Sequence, residues 1–194
     1  MRHAPPRGVR RGLRASPHAP KSLEARAADP HNGAMTTGID TPFDSVLPTP
    51  FGALGIRADD DALTEICFLP PYTPAAPGTH PLAREAERQL RAYLAAPQHR
   101  FDLPLRPAGT AFQRRVWAEI AAIAPGELRA YGQLAQRLGT AARAVGQACG
   151  ANPFPVVVPC HRVVAQHALG GFAHARDGFL IDTKQWLIQH EQRR

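Results

Sequence analysis

The apolar positions of this chain change period along its length, and each change marks an element. Between Phe51 and Leu69, FGALGIRADDDALTEICFL, two short strand-like runs flank Asp59, Asp60 and Asp61. Such runs around an Asp-rich turn predict two strands. PYTPAAPGTHP then reads as a loop. From Arg84 to Ala95 the spacing becomes helical, and the helix ends before Pro97. AAPQHRFDLPLRPAG reads as a connection, which puts a domain boundary near Pro107.

A second set of helical signals follows. Thr110 is a good N-cap, and Gln113 three residues on completes a capping box. Phe112, Val116, Ile120 and Ile123 fall on one face, and Pro125-Gly126 stops the helix. A short helix is expected from Tyr131 to Leu138, closed by Gly139. Thr140 is a candidate cap for another, Ala141 to Cys149, which Gly150 ends. Two short helices with so brief a turn read as a helix-turn-helix. Val156-Val157-Val158 reads as a short strand stopped by Pro159, and Gly170-Gly171 as a turn. Asp182 is a candidate cap for a last helix carrying Trp186, Leu187 and Glu191.

In the helix after Thr140, Val145 and Cys149 lie four apart and are expected to face the core. Arg143, Gly146, Gln147 and Gly150 lie on or near the other side. Ala141, Ala142, Ala144, Gly146, Ala148 and Gly150 leave almost no bulk around Arg143. A smooth face lets a helix approach something flat or narrow, with Arg143 as its one long probe. Tight helix-helix packing uses small residues equally well, and spacing does not choose between the two.

Charge sharpens this picture. The chain of 194 residues carries a net charge of +7. Residues 1–34 contribute +5, residues 35–105 contribute −4, residues 106–176 contribute +6, and the remainder is neutral. The second basic block localises a possible polyanion contact to the second half. The first 34 residues are rich in Arg, Pro, Ala and His without periodicity and read as disordered. They fit an upstream start ahead of Met35, a basic tail holding DNA weakly, or an Arg-rich transit peptide. The organisation expected is a disordered basic tail over 1–40, an α/β domain over 41–106 and a mostly helical domain over 107–194. No apolar run reaches the roughly 18 to 20 residues of a membrane helix. No secretory apolar core is present, and a cytoplasmic location is expected, nucleoid-associated in a bacterium or nuclear in a eukaryote.

The three cysteines, Cys67, Cys149 and Cys160, are odd in number and widely spaced, which is no disulfide framework. No ligand spacing for zinc occurs. Cys160 stands out in ANPFPVVVPCHRVV, where Pro153, Pro155 and Pro159 restrict the backbone and His161 and Arg162 follow. A cysteine after an apolar run is most often a small core residue. A rigid segment that joins a thiol to an imidazole instead suits a positioned nucleophile. A free thiol of pKa about 8.5 is only a few per cent thiolate at neutral pH, so it needs a base. Neighbours in an extended chain point to opposite faces, so the chain must turn here or a water must bridge the two. A carboxylate should orient the histidine. Asp177, Asp182 and Glu191 are the downstream candidates, and spacing does not choose among them.

NPFPVVVPCHRVV, preceded by ARAVGQACGA and followed by LGGF and KQWLIQHE, resembles the O6-alkylguanine-DNA alkyltransferase family, also called methylated-DNA–protein-cysteine methyltransferases. The match runs from about Thr110 to Glu191, and TPFGALGI agrees more loosely with the family's N-terminal domain. The resemblance implies an α+β chain, with a small ribonuclease H-like sheet-plus-helix domain before a winged helix-turn-helix domain. It implies DNA repair by direct reversal. O6-methylguanine, and less readily O4-methylthymine, leaves the duplex, and its alkyl group passes irreversibly to Cys160, once per molecule. By the same correspondence His161 is the base, Glu191 orients it and Asn152 braces the turn. Tyr131 lies near the phosphate of the flipped nucleotide, and Arg143 enters the stack that the nucleotide left. Ala142, Gly146 and Gln147 share the DNA face, which enters the minor groove. Phe172, Val163, Val164, Pro155 and Trp186 are expected around the base. The scheme requires no cofactor and no metal. The expected partner is double-stranded DNA carrying O6-alkylguanine, bound by a monomer, with no membrane involved.

The physics of the reaction agrees with that reading. The oxygen to be dealkylated lies inside a duplex, and the nucleotide must leave the stack at about a few kcal/mol. Two departures stand against the family pattern. Phe172 replaces a tyrosine after the glycine of the substrate loop, which removes a hydroxyl donor unless His174 or another group substitutes. The stretch from Phe172 to Lys184 is about five residues longer than the resemblance leads one to expect, through HARDGFLIDT. A non-catalytic lesion-binding protein of the same fold is therefore the alternative. A thiol hydrolase is a further one, which would leave Arg143 and the helix pair idle.

Overall fold

The computed structural model describes residues 43–193 and opens on a three-stranded antiparallel sheet, β1 (Ser45–Thr49), β2 (Gly52–Ala58) and β3 (Leu63–Leu69). The strand order is β1-β2-β3. β2 and β3 are the two expected strands, and the Asp-rich turn between them works as anticipated. The Asp59 side chain accepts hydrogen bonds from the amides of Asp61 and Ala62 at 3.1 and 3.0 Å. β1 has no counterpart in the sequence reading, because Pro48 interrupts its strand signal. As an edge strand it tolerates a residue with no amide donor.

α1 (Pro81–Ala95) begins earlier than the periodicity predicts. Its first turn is set by chemistry rather than by apolar spacing. His80 caps it by accepting from the Leu82 amide at 3.3 Å, and Pro81 fills the first helical position. Ala83, Ala86, Leu90 and Tyr93 form its buried face. Buried Gln89 holds the following connection by accepting from Asp102 N–H and donating to its carbonyl, both at 2.8 Å.

α2 (Ala111–Ala121) carries the expected reciprocal capping box between Thr110 and Gln113. Val116, Ile120 and Ile123 are buried on its apolar side. After a turn come β4 (Arg129–Ala130), α3 (Tyr131–Leu138) and α4 (Ala142–Gly150). Gly139 closes α3 at φ +63°, where a side chain is disfavoured. Thr140 does not cap α4. Ala141 occupies that position with no side-chain hydrogen bond. Val145 and Cys149 are buried, as their spacing requires, and the Trp117 indole donates to the Ala148 carbonyl at 2.7 Å to lock α2 against α4.

Val156–Val158 is not a strand. Val156 sits at φ +73°, and the Val158 amide donates back to the Phe154 carbonyl at 2.8 Å, so three apolar residues make a tight turn. A 3-10 turn over Cys160–Arg162 leads into β5 (Val163–Val164), which pairs in parallel with β4. α5 (Phe179–Gln192) starts before Asp182, which lies in its first turn. Gly178 is the residue at the cap.

The described residues are mixed helix and sheet and belong to one compact unit. Its core is continuous from Leu47 and Ile56 through Tyr93 and Val116 to Val163 and Leu187. Hydrogen bonds cross the expected boundary near Pro107. Ile66 on β3 donates to the Pro153 carbonyl at 2.8 Å, so the sheet edge supports the proline-rich segment ahead of Cys160. None of the described helices is long and apolar enough to cross a membrane. The tail expected over 1–40 lies outside the described residues. Removing the α2 cap by Thr110→Ala should cost about 1 kcal/mol, read as a lower urea midpoint with an unchanged slope.

Candidate active site and nucleic-acid interface

Cys160 heads the 3-10 turn that Pro159 and the Val156 turn force on the chain. This turn answers the requirement that the backbone bend at the thiol. Asn152 holds the arrangement from three directions. Its side-chain amide donates to the Val158 carbonyl at 2.8 Å and to Cys160 Sγ at 3.4 Å, and its oxygen accepts from the Phe154 amide at 3.0 Å. Burial pushes the Cys160 thiol up. The Asn152 donor, the Lys184 charge and the amides of Cys160 and His161 partly oppose that rise. The resting thiol therefore carries its proton and needs a base.

His161 is fully buried. Its Nε2 lies 2.8 Å from Glu191 Oε1. An ionised carboxylate only accepts, so Nε2 carries the hydrogen. Burial outweighs the Glu191 charge and lowers the imidazole's basicity, so the ring is neutral. Nδ1 is then a bare acceptor, buried with no hydrogen-bond partner among the described residues. A neutral imidazole with one nitrogen oriented and the other free has the form of a general base.

Glu191 is the carboxylate that spacing could not select. Arg162 donates to it twice, from Nε to Oε2 and from Nη2 to Oε1, both at 2.9 Å. Tyr93 on α1 donates its hydroxyl to Oε1 at 2.7 Å, and the Gly126 amide reaches Oε2 at 3.2 Å. Burial works to raise the Glu191 carboxyl, but the His161 and Arg162 donors outweigh it and hold it well below the usual carboxylate range. Asp177 and Asp182 are exposed and take no part.

A cleft of about 740 Å³ opens over the thiol. Tyr131, Ala142, Arg143, Gly146 and Gln147 of the helix pair line it together with Phe172 to Arg176 of the following loop, and Cys149 and Cys160 are also on its lining. A Cβ built on Gly146 would meet nothing within 4 Å, so packing inside this chain does not explain the smooth face of α4 there. Arg143 is exposed beside it. The Tyr131 hydroxyl donates to the Gly171 carbonyl at 3.1 Å and so steadies the loop that lines the cleft. Phe172 turns its ring against Phe68 on β3, with ring centres 5.2 Å apart.

Four expected pocket residues lie elsewhere. Val163 is fully buried in the core, and Pro155 and Val164 belong to turn and strand outside the cleft lining. Trp186 stacks on His190, with ring centres 4.8 Å apart, and lines a separate cavity with Phe51 and Tyr72. Its place on α5 turns it toward the N-terminal sheet rather than toward the thiol.

Sequence reasoning also missed three groups. Arg162 and Tyr93 complete the Glu191 site. Lys184 is fully buried on α5 and donates to the carbonyls of Leu169 and Gly171 at 2.8 and 3.0 Å. Burial lowers its ammonium to about 8, against the pull of Cys160 and Cys149. Lys184 lies seven residues before Glu191 on α5, so the two charges share its inward face, and that spacing was the one sequence signal for it. Tyr93 carried no local signal. Among the described residues no group of histidine, cysteine and carboxylate side chains could hold a metal.

Since the folded Glu191 ionises well below the 4.5 of a free glutamate, unfolding takes up a proton in acid. It therefore adds stability that is complete above about pH 4.5 and fades as pH falls. Glu191→Gln should flatten that acid limb and cost on the order of 3 kcal/mol at neutral pH, because Arg162 loses its counter-charge. Urea midpoints measured across acid and neutral pH read both effects.

Comparison with known proteins gives this geometry its setting. Residues 111–193 match the family model described as "6-O-methylguanine DNA methyltransferase, DNA binding domain". A crystal structure of Mycobacterium tuberculosis O6-methylguanine methyltransferase is similar at 36% identity and a TM-score of 0.63, over 76% of this chain and 90% of that one. One of Mycobacterium tuberculosis OGT in complex with DNA is similar at 36% identity and a TM-score of 0.64, over 76% and 91%. The methylated-DNA–protein-cysteine methyltransferase of Methanosarcina acetivorans is 35% identical over 76% of this chain and 96% of its own. That of Mycolicibacterium paratuberculosis is 40% identical over 76% of this chain and 90% of its own. At that identity over nearly the whole of both relatives, the chain belongs to the methylated-DNA–protein-cysteine methyltransferase family.

Proposed function

We propose that this protein repairs alkylated DNA by taking the alkyl group onto itself. Duplex DNA lies along the exposed face of α4, in the minor groove. O6-methylguanine, or less readily O4-methylthymine, turns out of the stack into the cleft while Arg143 fills the space it leaves. The single observation that carries this reading is the thiol of Cys160 on the lining of that cleft, with an oriented neutral histidine next to it in the chain.

The chemistry balances without a further reactant. Cys160 gives its proton to Nδ1 of His161, directly or through one water, and Glu191 and the field around it stabilise the imidazolium formed. The sulfur forms a bond to the methyl carbon as the bond from that carbon to O6 breaks. The proton returns from His161 to the departing base. Thiol and methylated guanine thus become thioether and guanine. A thioether is not reversed by thiol exchange, so each molecule acts once. Asn152 keeps the sulfur on its line of attack. The residues named here hold no cofactor or metal role.

The finer architecture belongs to the same proposal. A ribonuclease H-like segment over 41–106 supports a winged helix-turn-helix domain over 107–194, in which α3 and α4 are the helix pair. The protein acts as a monomer where the DNA is, in the cytoplasm of a bacterium or the nucleus of a eukaryote.

Incubation with a duplex carrying O6-methylguanine should add one methyl group to the peptide containing Cys160, read by mass. Tight binding without any gain would support a non-catalytic lesion binder instead. Cys160→Ala should retain binding to methylated duplex and take up no methyl. Arg143→Ala should slow repair of duplex far more than dealkylation of the free base, and equal slowing would remove Arg143 from the role of filling the stack.

A further inference from the structure

The lengthened loop before α5 is built into the mouth of the cleft. The Phe172 amide donates to the Ala175 carbonyl at 3.0 Å, and the Ala175 amide to the Phe172 carbonyl at 2.8 Å. The two residues between, Ala173 and His174, have φ of +46° and +65°. A turn of this kind favours glycine or asparagine, because a Cβ is crowded at positive φ. Neither is present, so the turn is held from outside. The His174 ring lies against Gly150 at the end of α4, so near that a Cβ on Gly150 would come within 2.5 Å of ring Cε1. The strained turn thus bridges the cleft from the loop to α4 and sets Arg176 on its lining.

Arg176 is exposed, and among the described residues it makes no hydrogen bond or ion pair. Arg143, on the α4 side, is in the same state. Several other surface arginines pair with carboxylates, as Arg88 does with Glu85, Arg91 with Glu87 and Arg137 with Glu119. Asp177 follows Arg176 in the chain and forms no pair with it. Two free guanidinium groups facing one cleft favour an anion there, and the planar guanidinium matches the oxygens of a phosphodiester.

We infer that the Phe172–Gly178 loop is a second nucleic-acid contact, in which Arg176 takes a backbone phosphate of the lesion strand from the side opposite Arg143. His174 positions it by bracing the loop on Gly150. This rests on the reading that the cleft receives DNA.

The test uses the full chain with Arg176→Gln, His174→Ala, Gly150→Ala and the last two combined. Duplex affinity is measured from about 50 to 200 mM salt, where a phosphate contact is revealed by its counterion release. Arg176→Gln should weaken duplex binding by about ten-fold at low salt, the effect of one charge-assisted hydrogen bond. It should also reduce the slope of log affinity against log salt by about 0.9. Gly150→Ala displaces the His174 ring and should weaken binding in the same sense, with no further loss when His174→Ala is added. It should not lower the melting temperature, because alanine is the better helix former. An unchanged salt slope in Arg176→Gln, or additive losses from Gly150→Ala and His174→Ala, overturns the inference. Failure of the repair reading is distinct, because the unaltered protein would then neither hold methylated duplex nor take up its methyl.

Discussion

A buried carboxylate is the constraint on which the rest depends. Glu191 sits near the end of α5 and gathers donors from α1, from the turn before β4 and from the Cys160–Arg162 turn. A charge withdrawn from water this far is tolerated only when its oxygens are occupied. Satisfying Glu191 therefore ties the last helix, the first helix and the active-site turn to one point. The histidine is oriented as a consequence, since its Nε2 hydrogen has one acceptor to meet. Arg162 keeps the carboxylate ionised, while the thiol and the imidazole themselves rest neutral.

That neutrality matters to the chemistry. Burial raises Cys160 and lowers His161 together, so thiol and imidazole rest as an uncharged pair. In the proposed reaction a proton moves between them only when an alkyl carbon in the cleft makes the thiolate worthwhile. Lys184, itself buried and held by two carbonyls, adds a positive field near the sulfur while it fixes the loop that walls the cleft. Rigid support and electrostatics come from the same side chain.

The proposed nucleic-acid face follows a different rule. α4 leaves Gly146 open and Arg143 free, whereas its other side is sealed by Val145, Ala148 and Cys149. The helix is thus anchored on one side and bare on the other. Its bareness has a second use at Gly150, where the missing side chain admits the His174 ring. The loop before α5 lands on that glycine through His174, while Phe172 in the same loop packs inward on Phe68.

Local signals were legible wherever the chemistry is local. The Thr110–Gln113 capping box, the Gly139 stop, the Asp59 turn and the inward pair Val145 and Cys149 all depend on residues a few places apart, and each stands where its spacing put it. The Cys160-His161 pair was legible for the same reason, as was the need for a bend beside it. Spacing left three carboxylates open for His161 and the resemblance named Glu191, but tertiary structure put that residue, thirty places away, against the ring by packing α5. It alone brought Tyr93 in from the first half and sent Trp186 to another cavity. It also folded Val156–Val158 into a turn, since an apolar run reports burial and not the path by which the backbone achieves it. Periodicity describes one face of one element. Which faces meet depends on loops and on buried charges that must find partners across the chain, and no short window of residues contains that information.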